Sequence, residues 1–130
     1  MNTAQVVALE TRDLTRISTT NLQALTTEQV ASLSTDQVVA LTTDQTAALS
    51  TAQIAAITTA QLVTMETDDV AAITTDQITA LTTAQMVALT TAQTVTLTSD
   101  QLATLKTAQV AALTVANLAK ITTAQITSFT

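Results

Sequence analysis

One eight-residue pattern repeats along the whole chain without insertion or deletion. Examples are STDQVVAL at 34–41, TTDQITAL at 74–81 and TTAQMVAL at 82–89. A fixed short period is the signature of a repeat architecture, in which each unit buries its apolar face only against its neighbours. The sixteen octads predict a single repeat domain over residues 1–130. The octads near 10–25 and 106–130 diverge, because they carry the basic residues and lose some of the glutamines.

Each octad has the features of a very short helix. If the octad that begins at Ser34 is numbered one to eight, the large apolar residues lie at positions five and eight, and a spacing of three places both on one helix face. Position one is Ser or Thr in most octads, and position four is Gln in twelve of sixteen. A hydroxyl followed three residues later by Gln is a capping box, which starts a helix. The pattern therefore predicts an all-α solenoid of about sixteen very short helices.

Two other folds are weighed against this one. In a single long helix, eight residues leave a drift of about 80° per octad, so the apolar pairs would spiral around the rod and form no stripe. A β-solenoid is the alternative fold, because Thr, Val and Ile favour strands. The apolar spacings, however, alternate between three and five rather than following the period of two that a strand requires.

The acidic residues at position three indicate how the helices stack. With two helices per turn, residues sixteen apart lie above one another, and acids alternate with alanines in the column Asp36, Ala52, Asp68, Ala84, Asp100. With three helices per turn, Asp44 would stack on Asp68, and Asp76 on Asp100. Since like charges repel, we predict two helices per turn.

The composition excludes several classes of function. The chain has no His, Cys or Tyr, so the usual general bases and nucleophiles are missing, and its net charge of −6 disfavours nucleic acid. No apolar segment is long enough for membrane insertion. We therefore expect no enzyme, no catalytic residues, no cofactor and no small-molecule substrate. Self-association or a protein partner remains as the class of interaction.

One acidic cluster invites a metal-site interpretation. Glu66, Asp68 and Asp69 lie within four residues, Asp76 follows in the next octad, and a hard cation such as calcium prefers oxygen ligands. The alternative is that Asp68 interacts with the helix dipole, while Glu66 and Asp69 replace the capping hydroxyl and Gln. Because the EF-hand loop spacing and its glycine are absent, we predict no metal site.

Two polar columns also repeat with the octad. Position two is Thr in fourteen of sixteen octads, the exceptions being Ser99 and Val115, which suggests either an ice-binding array or ordinary packing of the threonine methyls. The Gln column at position four suggests either a stacked amide ladder or local capping, and we favour capping. Thr46 and Thr94 occupy the apolar position five, where each hydroxyl is expected to bond a carbonyl of the preceding helical turn.

Octads such as TTDQITAL and TTAQMVAL, in strict phase over the whole chain, resemble the Thr/Gln/Ala/Leu octapeptide-repeat tracts of large bacterial surface, adhesin-like exoproteins. The resemblance implies a structural or spacer role, and an extracellular or cell-surface location, but carries over no site residues. We therefore predict a non-enzymatic structural or interaction module that acts as a spacer, stalk or self-assembling scaffold. The alternative function is an ice-binding surface.

Overall fold

The computed structural model describes residues 1–113, 115–121 and 123–126, and every regular element in these ranges is an α-helix. The helices are α1 Thr3–Val7, α2 Thr11–Leu14, α3 Thr19–Gln23, α4 Thr27–Ser32, α5 Thr35–Val39, α6 Thr43–Ala48, α7 Thr51–Ala56, α8 Thr59–Leu62, α9 Thr67–Ala72, α10 Thr75–Ala80, α11 Thr83–Ala88, α12 Thr91–Thr96, α13 Ser99–Thr104, α14 Thr107–Ala112, α15 Val115–Lys120 and α16 Thr123–Ile126. One helix per octad confirms the all-α solenoid, and the described ranges hold no strand of the β-solenoid alternative.

After α4, α6, α7 and α9 to α13, the chain turns through two consecutive extended residues. After α6, for example, Leu49 has φ −59° and ψ 141°, and Ser50, which caps α7, has φ −68° and ψ 160°. None of the described residues has a positive φ. The corners therefore use backbone angles that any residue adopts, which explains how the array turns without glycine.

Each helix packs against the helices that lie three places before and three places after it in the chain. Helix α9, for example, contacts α6 and α12, and α8 contacts α5 and α11. A turn of the solenoid therefore contains three helices, and the prediction of two helices per turn is wrong. That prediction relied on repulsion between position-three acids, but side chains such as Asp44 and Asp68 are exposed, so water and salt weaken the repulsion between them.

The core is a continuous column of the apolar residues at positions five and eight. Position five is buried in every octad from Val6 to Leu102, and position eight is buried in most. Ile54, Leu62 and Ile78 are fully buried. Because each helix is too short to be stable alone, this shared column stabilises all the turns together.

The predicted single domain over 1–130, with divergent end repeats near 10–25 and 106–130, includes residues 114, 122 and 127–130, which lie outside the described residues. In the described ranges, no helix is long and apolar enough to cross a membrane.

Candidate functional site

The glutamine at position four caps its own helix. In α11, the backbone N–H of Thr82 donates to Oε1 of Gln85 at 2.8 Å, and the backbone N–H of Gln85 donates to Oγ1 of Thr82 at 3.2 Å. The same reciprocal capping box forms in α1, α4 to α8, α10, α12 and α13. These contacts confirm the predicted helix starts.

The same glutamine also joins two turns of the solenoid. Nε2 of Gln85 donates to the carbonyls of Ile54 at 3.0 Å and Ile57 at 2.7 Å, which lie 31 and 28 residues earlier. These carbonyls lie at the end of α7, in the octad four places before that of Gln85. Because side chains lean toward the start of their helix, the amide reaches the corner that precedes the helix beneath it. We call this contact the inter-turn bond.

The inter-turn bond recurs with the same register along the solenoid. The acceptors are again 31 and 28 residues earlier for Gln37, Gln45, Gln53, Gln61, Gln77, Gln93, Gln101, Gln109 and Gln125. Gln29 donates to the carbonyl of Met1. Position four is buried from Gln29 onward, whereas Gln5, Asp13 and Asn21 in the first turn are exposed. Except at Asp69, burial of this column thus accompanies the bond to a preceding turn.

Sequence reasoning identified the capping function of this column but missed the inter-turn bond. The contact is also not the stacked amide ladder considered above, since the acceptors are main-chain carbonyls. A signal was present in the choice of residue. A capping box accepts Glu as well as Gln at position four, yet none of the sixteen octads has Glu there. Only the amide both accepts the cap N–H and donates to carbonyls, so the absence of Glu indicates the second role.

Asp69 interrupts the column. It is 5% exposed, and the expected capping by this octad is wrong: Glu66 makes no side-chain bond at the start of α9. Burial first, and then the charges of Glu66 and Asp68, raise the pKa of the Asp69 carboxyl from 3.8 to about 6. A buried acid therefore occupies a position at which fourteen of the sixteen octads have the amide Gln or Asn.

The acidic cluster that suggested a cation does not form a ligand set. Among the residues that the structure describes, no group of three or more Asp, Glu, His or Cys side chains is arranged to hold a metal ion. Asp76 and Asp68 are exposed, on α10 and α9, whereas Asp69 points into the solenoid as a buried residue. The helix-start interpretation holds for Asp68, which lies in the first turn of α9.

The threonine predictions have mixed outcomes. Thr46 and Thr94 are both fully buried, as position five requires. Oγ1 of Thr94 donates to the carbonyl of Thr90 at 3.0 Å, as expected. Oγ1 of Thr46 has no hydrogen-bond partner, so the prediction is wrong there. The position-two threonines are exposed in nearly every octad whose side chains are described, so they do not pack under the next turn.

An open cavity of about 360 Å³ lies at the first turn of the solenoid. It is lined by apolar and amide side chains, among them Ile17, Asn21, Leu25 and Gln29. None of the lining side chains is charged, and the polar ones are the Thr26 hydroxyl and the amides of Asn21 and Gln29.

A family model described as the ALTTAQ repeat matches residues 6–43 and 62–99, which together form more than half of the chain. Both matched segments contain the glutamine column and the capping boxes. No curated protein and no solved structure matches the chain.

Proposed function

Because the chain belongs to the ALTTAQ repeat family, whose octad here both starts a helix and bonds it to the preceding turn, we propose that it is a non-enzymatic structural module. Its role is that of a rigid spacer or stalk. The inter-turn bond is the observation that carries this proposal. It joins successive turns through the same atoms and the same register, so each added octad extends the module without altering its cross-section.

The polar side chains of the interior support the same role. The buried glutamines use their amide oxygen for the cap and their amide nitrogen for the carbonyls of another turn. Buried polar groups that are satisfied in this way stabilise one conformation. Since the column is occupied by structural bonds, the proposal assigns no residue to catalysis, cofactor binding or a small-molecule substrate.

A length experiment tests the spacer role. Duplicating residues 74–97, three consecutive octads, adds one turn of three helices. Helices pack about 8–10 Å apart, so the maximum dimension from small-angle X-ray scattering should rise by about 8–10 Å with no change in cross-sectional radius. The matched control inserts the same residues in scrambled order, which keeps the composition and removes the caps. An unchanged length for the duplication, or an equal effect of the scrambled insert, would contradict the spacer role.

A self-assembling scaffold is the second form of this proposal. It is supported by the repetition of one interface along the chain, because a surface that stacks on its neighbour within a chain is suited to stacking between chains. Light scattering over a concentration series tests it. A mass that stays monomeric up to millimolar concentration rejects the scaffold and leaves the spacer intact.

Two further predictions remain attached to this function. The resemblance to bacterial surface tracts supports an extracellular or cell-surface setting, which fractionation of the source cells tests. The ice-binding alternative requires the exposed position-two threonines to act as a lattice. We expect no thermal hysteresis from the spacer, and a clear freezing-point depression would favour the alternative.

A further inference from the structure

One buried residue of the glutamine column carries a titratable group. Asp69 stands at position four of its octad, between the amides Gln61 and Gln77 of the adjoining octads. All three side chains are buried. Gln61 and Gln77 each form the inter-turn bond. No hydrogen bond joins the Asp69 carboxyl to another side chain or to the main chain within the described residues. The contact between turns at position four, which we call a joint, is therefore different at Asp69 from the joints made by Gln61 and Gln77.

The register of the column identifies what Asp69 faces. The amides before and after it donate to carbonyls 31 and 28 residues earlier. The same register places Asp69 opposite the carbonyls of Val38 and Leu41, at the end of α5. A carboxylate has no proton to donate and repels a carbonyl oxygen, whereas a neutral carboxylic acid has one O–H donor.

Another octad shows that a side chain as short as that of Asp69 can reach a carbonyl of the preceding turn. Asn117 also stands at position four, and its Nδ2 donates to the carbonyl of Leu89, 28 residues earlier, at 2.8 Å. Aspartic acid has the same length as asparagine. The equivalent acceptor for Asp69 is the Leu41 carbonyl, so a protonated Asp69 is long enough to donate to it.

The surroundings favour the neutral acid. Burial first, and then the charges of Glu66 and Asp68 in the same octad, raise the pKa of Asp69 to about 6. Helix α9 packs against α6, which carries Asp44, and against α12, which carries no charged residue. The acceptor side, α5, carries Asp36, and the next helix along the chain, α10, carries Asp76. All of these groups are acids. Between Arg16 and Lys106 the sequence contains no basic residue, so no cation of the chain stabilises the Asp69 carboxylate.

We propose that Asp69 forms an inter-turn bond only while it is protonated. Its neutral carboxylic acid donates to the Leu41 carbonyl and joins α9 to α5, and ionisation of the carboxyl breaks this joint. The array then has one joint that responds to acidity, while the joints on either side, made by amides, do not titrate. The proposal concerns this joint alone and does not depend on whether the module acts as a spacer or a scaffold.

The sign of the pH effect follows from the direction of the shift. Because the folded-state pKa of about 6 lies above the ordinary value of 3.8, the folded chain binds the proton more tightly than the unfolded chain. The contribution of Asp69 is therefore fully present below about pH 4, is lost as pH rises through about 6, and is constant above it.

The first test compares the denaturation midpoints of wild type, Asp69→Asn and Asp69→Gln from pH 3.5 to 8. Asn and Gln donate at every pH, so their advantage over wild type should be small below pH 4, grow toward pH 6 and level off above it. The matched control is Asp76→Asn, which removes an exposed carboxylate. A step of the same size in this control would assign the effect to the general removal of a carboxylate and not to position four. A difference for Asp69→Asn that is flat with pH would overturn the proposal.

The second test observes the joint directly in the wild-type chain by NMR. The carboxyl carbon of Asp69 and the carbonyl carbon of Leu41 should shift together with one midpoint near pH 6, while the carbonyl carbon of Leu49, which accepts from Gln77, should not. Titration of Asp69 without a response at Leu41 would reject the hydrogen bond. Stabilisation of wild type by millimolar calcium at pH 7.5, lost in Asp69→Asn, would show a cation rather than a proton at this joint and would equally reject it.

Discussion

Replacing Gln85 by Glu separates the two roles of the glutamine column. Glu at position four still accepts the cap N–H, so the helix start is retained. The second carboxylate oxygen, however, replaces the Nε2 donor that bonds Ile54 and Ile57 at 3.0 and 2.7 Å. Gln85 is 2% exposed, so the introduced charge is buried beside two carbonyls. We expect this variant to be strongly destabilised at neutral pH.

The magnitude follows from the bonds lost and the charge buried. Two inter-turn hydrogen bonds contribute roughly 1–3 kcal/mol together, and an unpaired buried charge costs about 2 kcal/mol more once water penetration and partial protonation are included. We therefore expect the free energy of unfolding to fall by about 3–5 kcal/mol. With a urea slope of about 1.5 kcal/mol per molar, the midpoint at pH 7.5, followed by circular dichroism at 222 nm, should fall by about 2–3 M.

The matched control is Gln5→Glu. Gln5 makes the same cap contact, with its Oε1 2.8 Å from the backbone nitrogen of Asn2, but it is exposed. The change should leave stability within about 0.5 kcal/mol of wild type, as for an ordinary surface substitution. Equal effects of the two substitutions would mean that the cap alone stabilises the array, and would refute the assignment of stability to the inter-turn bond.

Three further outcomes are expected. Thr46→Val should raise the free energy of unfolding by about 1–2 kcal/mol, because it removes a buried hydroxyl without a partner. The control Thr94→Val removes a hydroxyl that is hydrogen-bonded and should be neutral or destabilising. Thermal denaturation of both variants checks this, and a lower stability of Thr46→Val would contradict it. Ile78→Ala should cost about 2–5 kcal/mol by leaving a cavity in the shared core, against less than about 1 kcal/mol for Thr79→Ala on the partly exposed side of the same helix; urea denaturation measures both, and similar losses would mean that the core column is not the main source of stability. At pH 7.5, Asp69→Gln should unfold at a higher temperature than wild type, because it supplies the missing donor at a pH where Asp69 is mostly ionised; a lower midpoint would show that the joint cannot accommodate the longer side chain.

Most of the secondary structure could be predicted from the sequence because its causes are local. The capping residues Thr82 and Gln85 lie three residues apart in the same octad, and the geometry between them is set by the backbone of one helical turn. The apolar spacing within an octad likewise identified which residues become buried. These contacts need no information about distant parts of the chain, so the helix per octad and the buried apolar positions were both anticipated.

The number of helices per turn depends on contacts between residues far apart in sequence. The choice between two and three was predicted from exposed acids, whose interaction is weak. It is decided by the packing of helices three places apart and by bonds such as that from Gln85 to Ile57. Hydrogen bonds between buried groups depend on the exact position of their partners. No feature within a single octad specifies which carbonyl of another turn will lie next to its Gln side chain.

The repeat by itself determined that the chain forms short capped helices around an apolar column, because those requirements are met inside each octad. Only the tertiary structure showed that the capping amide also joins the turns, and that Asp69 stands where a donor is needed. The physical reason is that the Gln carboxamide has both an acceptor oxygen and a donor nitrogen. The sequence reveals the partner of the oxygen, which is three residues away, but the partner of the nitrogen, 28 residues away, is defined only when the turns are stacked.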